Sequence, residues 1–122
     1  MTQIFRLKCW IRRLDCKTIL CNKFFMVDLE KDVERYFVKT VQALGGLAFK
    51  FNSLSNRGVS DRIVCLPNGE TWFVELKKDG GKLSALQKLF ADDMRKLNQR
   101  YACLWNREQV DRWACEITTV SR

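Results

Sequence analysis

Three ionisable residues are spaced so that they can act on one another: Asp61 in RGVSDR, and Glu75 and Lys77 in FVELKK. Two carboxylates and an ammonium are suited to holding a divalent cation, to general acid–base work, or to a plain ion pair. The choice depends on strand register. Pro67-Asn68-Gly69 suits a three-residue hairpin loop, with glycine at the left-handed position that forms a bulge. Leu66 then pairs with Glu70, Arg62 with Val74, and Asp61 with Glu75, and opposed residues share a face. Lys77 follows two residues on along that face. A two-residue Asn-Gly turn is the rival, and it would send Asp61 to the other side. The longer loop is preferred because it uses all three turn residues. Like charges set directly opposite destabilise a sheet. Three remedies are open: a proton shared by the acids, Lys77 or Arg62 as salt partner, or a divalent cation between them. The rest of the hairpin is apolar on both faces, with Ile63, Cys65 and Phe73 on one and Val64, Leu66, Trp72, Val74 and Leu76 on the other. Charges gathered at one end of such a hairpin point to a site rather than a solvated face.

The chain has no histidine. That excludes Ser-His-Asp and Cys-His catalysis and His-based metal sites, so a bound metal would see oxygen ligands, which suit magnesium or manganese rather than zinc. The six cysteines, Cys9, Cys16, Cys21, Cys65, Cys103 and Cys115, form no C-x-x-C pair and read as reduced thiols filling apolar space. The net charge of +8 favours polyanions such as nucleic acid or an acidic membrane surface, but it is uneven, because residues 1–25 hold six Lys/Arg against one acid. Charges interrupt every apolar stretch near the N-terminus, and no run reaches the roughly 18 residues of a membrane span. A cytoplasmic, non-secreted protein is therefore expected.

The elements must position these groups. Residues 1–25 form a basic arm with Ile4, Leu7, Ile11 and Leu14 at helical spacing. It reads as a surface-binding helix, for membrane or DNA, or as an extension before a start at Met26. The domain proper is 26–122, and 122 residues in all suit a single domain. A helix is expected over 28–44, capped by Asp28, with Leu29, Val33, Tyr36, Phe37, Val41 and Leu44 on one face and Glu34 at the border of that stripe. Strands follow over 47–54, 61–66 and 71–78. A second helix spans 84–97, with Leu86, Leu89, Phe90, Met94 and Leu97 roughly on one face. A strand over 101–105 and a short helix over 108–115 complete the order α-β-β-β-α-β-α, an α/β or α+β sheet of about four strands flanked by helices.

The blocks Leu44-Gly45-Gly46-Leu47-Ala48-Phe49-Lys50, Arg57-Gly58-Val59-Ser60-Asp61-Arg62, Phe73-Val74-Glu75-Leu76-Lys77 and Gly80-Gly81-Lys82-Leu83-Ser84-Ala85-Leu86-Gln87 occur in that order. Together they resemble the VRR-NUC branch of the PD-(D/E)xK nucleases, over about residues 28–113. An E-x-K tripeptide alone is a weak signal, and the surrounding blocks carry the likeness. The resemblance implies a restriction-endonuclease-like core with a mixed sheet, and magnesium- or manganese-dependent cleavage of DNA. It also implies a taste for branched substrates in some members, with homodimers able to cut four-way junctions. By the same resemblance Asp61 and Glu75 are metal-binding acids, with the Leu76 backbone carbonyl a further ligand. Lys77 is the active-site lysine. Glu34 is the first-helix acid, reaching a metal directly or through water, and Gln87 is the glutamine opening the second helix.

The family usually has proline before the aspartate, where this chain has Ser60, and often a glycine where Asn98-Gln99 stands. Plain alternatives stay open beside these roles. Asp61 and Lys77 can form an ordinary ion pair, Glu30 rivals Glu34, and Ser84-Ala85-Leu86-Gln87 is also a capping box. Lys50, Arg57 and Lys82 are candidates for DNA phosphate contacts. No organic cofactor and no membrane partner are expected. The second reading is a non-catalytic basic DNA-binding module on the same scaffold.

Overall fold

The computed structural model describes residues 30–120. The basic arm, the boundary at residue 26, Asp28 and Leu29 lie outside the described residues. Seven elements follow in the expected order: α1 (Glu30–Ala43), β1 (Leu47–Lys50), β2 (Arg62–Cys65), β3 (Thr71–Leu76), α2 (Ala85–Lys96), β4 (Arg100–Leu104) and α3 (Arg107–Val120). The four strands form one sheet in the order β1-β2-β3-β4. β1, β2 and β3 pair antiparallel, and β4 pairs parallel with β3. A parallel neighbour needs a crossover, which α2 supplies between β3 and β4. The result is a mixed α+β sheet with three helices among the described residues. None of those helices is long and apolar enough to cross a membrane.

The two faces of the sheet differ. On one, α1 contributes Val33, Phe37 and Val41, and α3 contributes Val110, Trp113, Ala114 and Ile117. These bury Val64, Val74, Leu76 and Leu104 of the strands. The Trp113 ring lies 5.2 Å from that of Phe37 and 5.7 Å from that of Trp72. On the other face, Phe90 of α2 meets Phe51, Phe73 and Tyr101 at centroid distances of 6.3, 5.9 and 6.3 Å. Helix ends are closed by local chemistry. Gly46 N–H donates to Val41 O and Gly45 N–H to Gln42 O at the end of α1. The same pattern recurs after α2, where Gln99 N–H reaches Met94 O and Asn98 takes φ 57°. Asparagine thus fills the position that the family often gives to glycine.

Three expectations are corrected. β1 ends at Lys50, not Leu54, because the chain leaves the ladder there and Leu54 is fully exposed. α3 continues to Val120, well past Cys115. Its β-branched tail disfavours helix by propensity, but no Gly or Pro stops it, Ile117 is buried, and the Thr118 and Thr119 hydroxyls donate to carbonyls three and four residues back. α2 is rotated relative to its leucines. Ala91 is buried and Gln87, Phe90 and Met94 are half-buried, whereas Leu86, Leu89 and Leu97 are exposed. The helix turns Phe90 and the Gln87 amide toward the sheet instead of these leucines.

Candidate active site

The register decides the site. The structure has the three-residue loop: Leu66 N–H donates to Glu70 O, Gly69 N–H donates to Leu66 O, and Gly69 has φ 86°. The ladder runs Cys65↔Thr71, Val64↔Trp72, Ile63↔Phe73 and Arg62↔Val74. Asp61 lies one residue beyond, at the mouth of β2. Its carboxylate Oδ2 accepts the N–H of Leu76 at 2.9 Å, so the side chain extends the ladder by one bond. A buried backbone donor at a strand end needs such a partner.

Glu75 stands beside it, 1% exposed. Its Oε1 accepts from Gln87 Nε2 at 2.7 Å and faces Lys77 Nζ at 3.5 Å. Its Oε2 is buried with no hydrogen-bond partner. Burial first, and the neighbouring Asp61 charge second, push the Glu75 carboxyl up to about 7, against a smaller lowering by Lys77. Pairing with Lys77 offsets the repulsion, and the plain ion pair of the site joins Lys77 to Glu75 rather than to Asp61.

Gln87 has two jobs. Its Oε1 accepts from Ser84 N–H at 2.9 Å while the Ser84 hydroxyl accepts from Gln87 N–H at 3.2 Å, which completes a capping box. Its amide nitrogen is then left to hold Glu75. The same side chain thus closes the capping box and reaches Glu75. The start of α2 also meets the loop before Asp61. Gly58 has φ 92°, and a Cβ there would come within 2.6 Å of the Leu86 carbonyl carbon. Only glycine lets the loop pass so close.

Glu34 is not brought to this set. Its carboxylate binds the Arg62 guanidinium at 2.5 Å. Arg62 is in register with Val74, on the face covered by α1, whereas Asp61 precedes it in the chain and points the other way. Among the described residues no three Cys, Asp or Glu side chains cluster as a metal site. The acids drawn together are therefore Asp61 and Glu75, while Glu34 is held in an ion pair with Arg62. Lys50, Arg57 and Lys82 are all exposed. Lys50 ends β1 in register with Arg62, Arg57 precedes the Asp61 loop, and Lys82 lies in the loop after β3.

Sequence reasoning missed several supporting residues. Ser60 is 1% exposed and its hydroxyl donates to Arg62 O at 3.3 Å, so the serine is fastened where the family's proline would be rigid. Trp105 Nε1 donates to Gly81 O at 2.7 Å, tying the glycine-rich loop to the end of β4. Cys103 is in register with Glu75. Burial, then the Glu75 charge, push its thiol up to about 12, so it remains a neutral thiol. Only the alternation of β4 could have placed that cysteine beside the acids.

A solved structure described as "VRR_NUC domain" superposes on the chain with a TM-score of 0.66, is 33% identical, and covers 68% of this chain and 90% of that one. The chain belongs to the VRR-NUC family. "Putative nuclease p44" of Acyrthosiphon pisum secondary endosymbiont phage 1 is 47% identical to this VRR-NUC chain over 58 residues. That alignment takes in 48% of the chain and 62% of the phage protein, so the chain spans less than two thirds of that relative's length. No protein-family model matches the chain. The acid pair, the lysine and the glutamine lie together on this VRR-NUC scaffold at one end of β2 and β3.

Proposed function

We propose that the protein is a divalent-metal-dependent endonuclease that hydrolyses phosphodiester bonds in DNA, with structured or branched DNA as its substrate. One observation carries the reading: two adjacent carboxylates, one sealed from water with an oxygen unpartnered, face a lysine in an E-x-K segment. An unpartnered buried carboxylate oxygen calls for an unrecorded donor or ion. The donor set is hard oxygen, which fits magnesium or manganese. Asp61 and Glu75 would hold the ion, with the Leu76 carbonyl as a further ligand. An ion held there would supply Lewis-acid polarisation of the phosphate and a lowered pKa for the attacking water.

The chain's own groups do the rest. Glu75 must give up the proton it holds near neutral pH before it can serve as a ligand, so metal affinity rises with pH through about 7. Lys77 offers three donors on a positive head to the water or to charge developing on the phosphate. Gln87 fixes the Glu75 carboxylate through Oε1 and leaves Oε2 for the ligand. A homodimer would present two such sites to the two arms of a junction.

The test is cleavage of single-stranded, duplex and four-way-junction DNA in magnesium or manganese, with Glu75→Ala as control. Wild type is expected to cut, fastest on a branched substrate, and the variant to lose on the order of a thousandfold or more. A folded wild type that leaves every substrate whole, binds DNA indifferently to magnesium and shows no metal-dependent rise in melting temperature is a binding module instead.

A further inference from the structure

We propose that the cleft between α1 and the β1–β2 edge holds the phosphate backbone of the substrate on the side of the sheet away from the acid pair. The proposal deepens the nuclease reading and rests on it. The cleft has a volume of about 550 Å³ and is lined by Lys31, Glu34, Arg35, Lys39, Lys50 and Arg62, among others. Its single acid is already taken, because Glu34 neutralises Arg62 at 2.5 Å. Lys31, Arg35, Lys39 and Lys50 are exposed, and none has a carboxylate partner among the described residues. Four positive heads therefore face one concavity with no carboxylate paired to them among the described residues.

Their spacing selects the occupant. Lys31, Arg35 and Lys39 recur every fourth residue on one side of α1. Each step rises about 6 Å, so the row covers about 12 Å. Glu30 and Asp32 flank Lys31 in sequence but project about 100° to either side, and neither lines the cleft. A row of evenly spaced cations, winding about 40° per step, matches a polymer of evenly spaced anions better than it matches a single small molecule. A lipid surface fits poorly, because the lining offers Val38 as its one apolar side chain and the site is concave.

The cleft is joined to the acid pair along the chain, although Asp61 and Glu75 do not line it. Arg62 forms its floor and is bonded to Asp61, so their Cα atoms are about 3.8 Å apart while their side chains leave on opposite faces. Arg62 itself is pinned, donating through its guanidinium to Ala48 O at 3.2 Å as well as to Glu34. A nucleic acid lying over the mouth of β2 can touch Lys50 and the α1 row while a phosphate enters beside Asp61.

Lys31→Gln/Arg35→Gln/Lys39→Gln tests this, measured against wild type and against Lys88→Gln/Lys96→Gln, which removes two exposed lysines of α2. Binding of a labelled duplex and a labelled four-way junction is followed across salt concentrations without divalent metal, and cleavage is followed separately. All three substituted α1 residues are exposed, and unchanged melting confirms the fold. The triple variant is expected to bind about tenfold or more weakly near 0.1 M salt, with a log–log salt slope shallower by about 2 to 3, since each lost phosphate contact removes about 0.9. Its loss in cleavage should appear in KM rather than kcat. Unchanged affinity and slope, or an equal loss per charge in the α2 variant, overturns the cleft. So does a loss of binding to phosphatidylserine vesicles with DNA binding intact. If wild type binds DNA but cuts nothing, the hydrolysis reading fails, while a shallower slope in the triple variant still supports the cleft.

Discussion

Val74 and Glu75 are consecutive in β3 and equally sealed from water, yet they face opposite worlds. Val74 enters a layer built with Phe37, Leu76, Val110 and Trp113, in the buried hydrophobic core. Glu75 enters a pocket that supplies one amide donor, one lysine and a second carboxylate, and leaves an oxygen unmatched. Burial stabilises the first residue and penalises the second. The α1–α3 face holds the fold together. The α2 face carries a local electrostatic cost, and such costs concentrate where chemistry is done. Variants on the two faces should therefore fail in opposite ways.

The largest contrast sets Lys77→Ala against Phe37→Ala. Lys77 is 18% exposed and packs into no hydrophobic cluster among the described residues, so its loss should leave the melting temperature within a few degrees while cleavage falls on the order of a hundredfold or more. Phe37 is fully buried, so its loss should cost about 3–5 kcal/mol by denaturant titration. Where it is still folded, its kcat should stay near wild type. A Lys77 variant that unfolds, or a folded Phe37 variant that is inactive, would erase the division between the faces.

Glu75→Gln sharpens the comparison through pH. The folded carboxyl is raised to about 7 from an ordinary 4.5. A raised acid binds its proton more tightly in the folded state, so its penalty is absent below pH 4.5, grows between 4.5 and 7, and is constant above. At about 1.4 kcal/mol per unit, the metal-free variant should be more stable than wild type by about 3 kcal/mol above pH 7. The two should converge near pH 4. Equal stability of the pair at pH 8 would mean that Glu75 carries no such penalty.

The same contrast explains what the sequence disclosed. Pro67-Asn68-Gly69 fixes one register, and that register alone puts Asp61 beside Glu75. Local chemistry of this kind is legible because few turns accept those residues. The role of Glu34 was not legible from spacing on α1, since its partner is chosen by which way Arg62 points. The clue was present: Arg62 follows Asp61, so it must face α1 if Asp61 faces α2. The rotation of α2 was hidden for a similar reason. Leu86, Leu89 and Leu97 form an apolar stripe, but the helix turns Phe90 onto Phe73 and Tyr101 and Gln87 toward Glu75, a hydrogen bond that hydropathy does not register. The length of α3 depended on burial of Ile117 overriding β-branched propensity.

The smallest expected effect separates the two ends of one amide. Ser84→Ala removes the hydroxyl that accepts Gln87 N–H and should cost about 1 kcal/mol of stability, a usual price for a lost helix cap. It leaves the bond from Gln87 Nε2 to Glu75 in place. Gln87→Ala removes the reciprocal half of the box and that bond together. Its stability loss should be similar, but cleavage should fall about tenfold further, because Glu75 loses the donor that fixes its carboxylate. Rates and denaturant midpoints measured side by side decide the matter. If the two variants cut equally well, Gln87 is a helix cap that merely touches the acid. If Gln87→Ala alone loses rate, the start of α2 is part of the apparatus that aims Glu75, and the α2 face differs from the α1 face in purpose as well as in polarity.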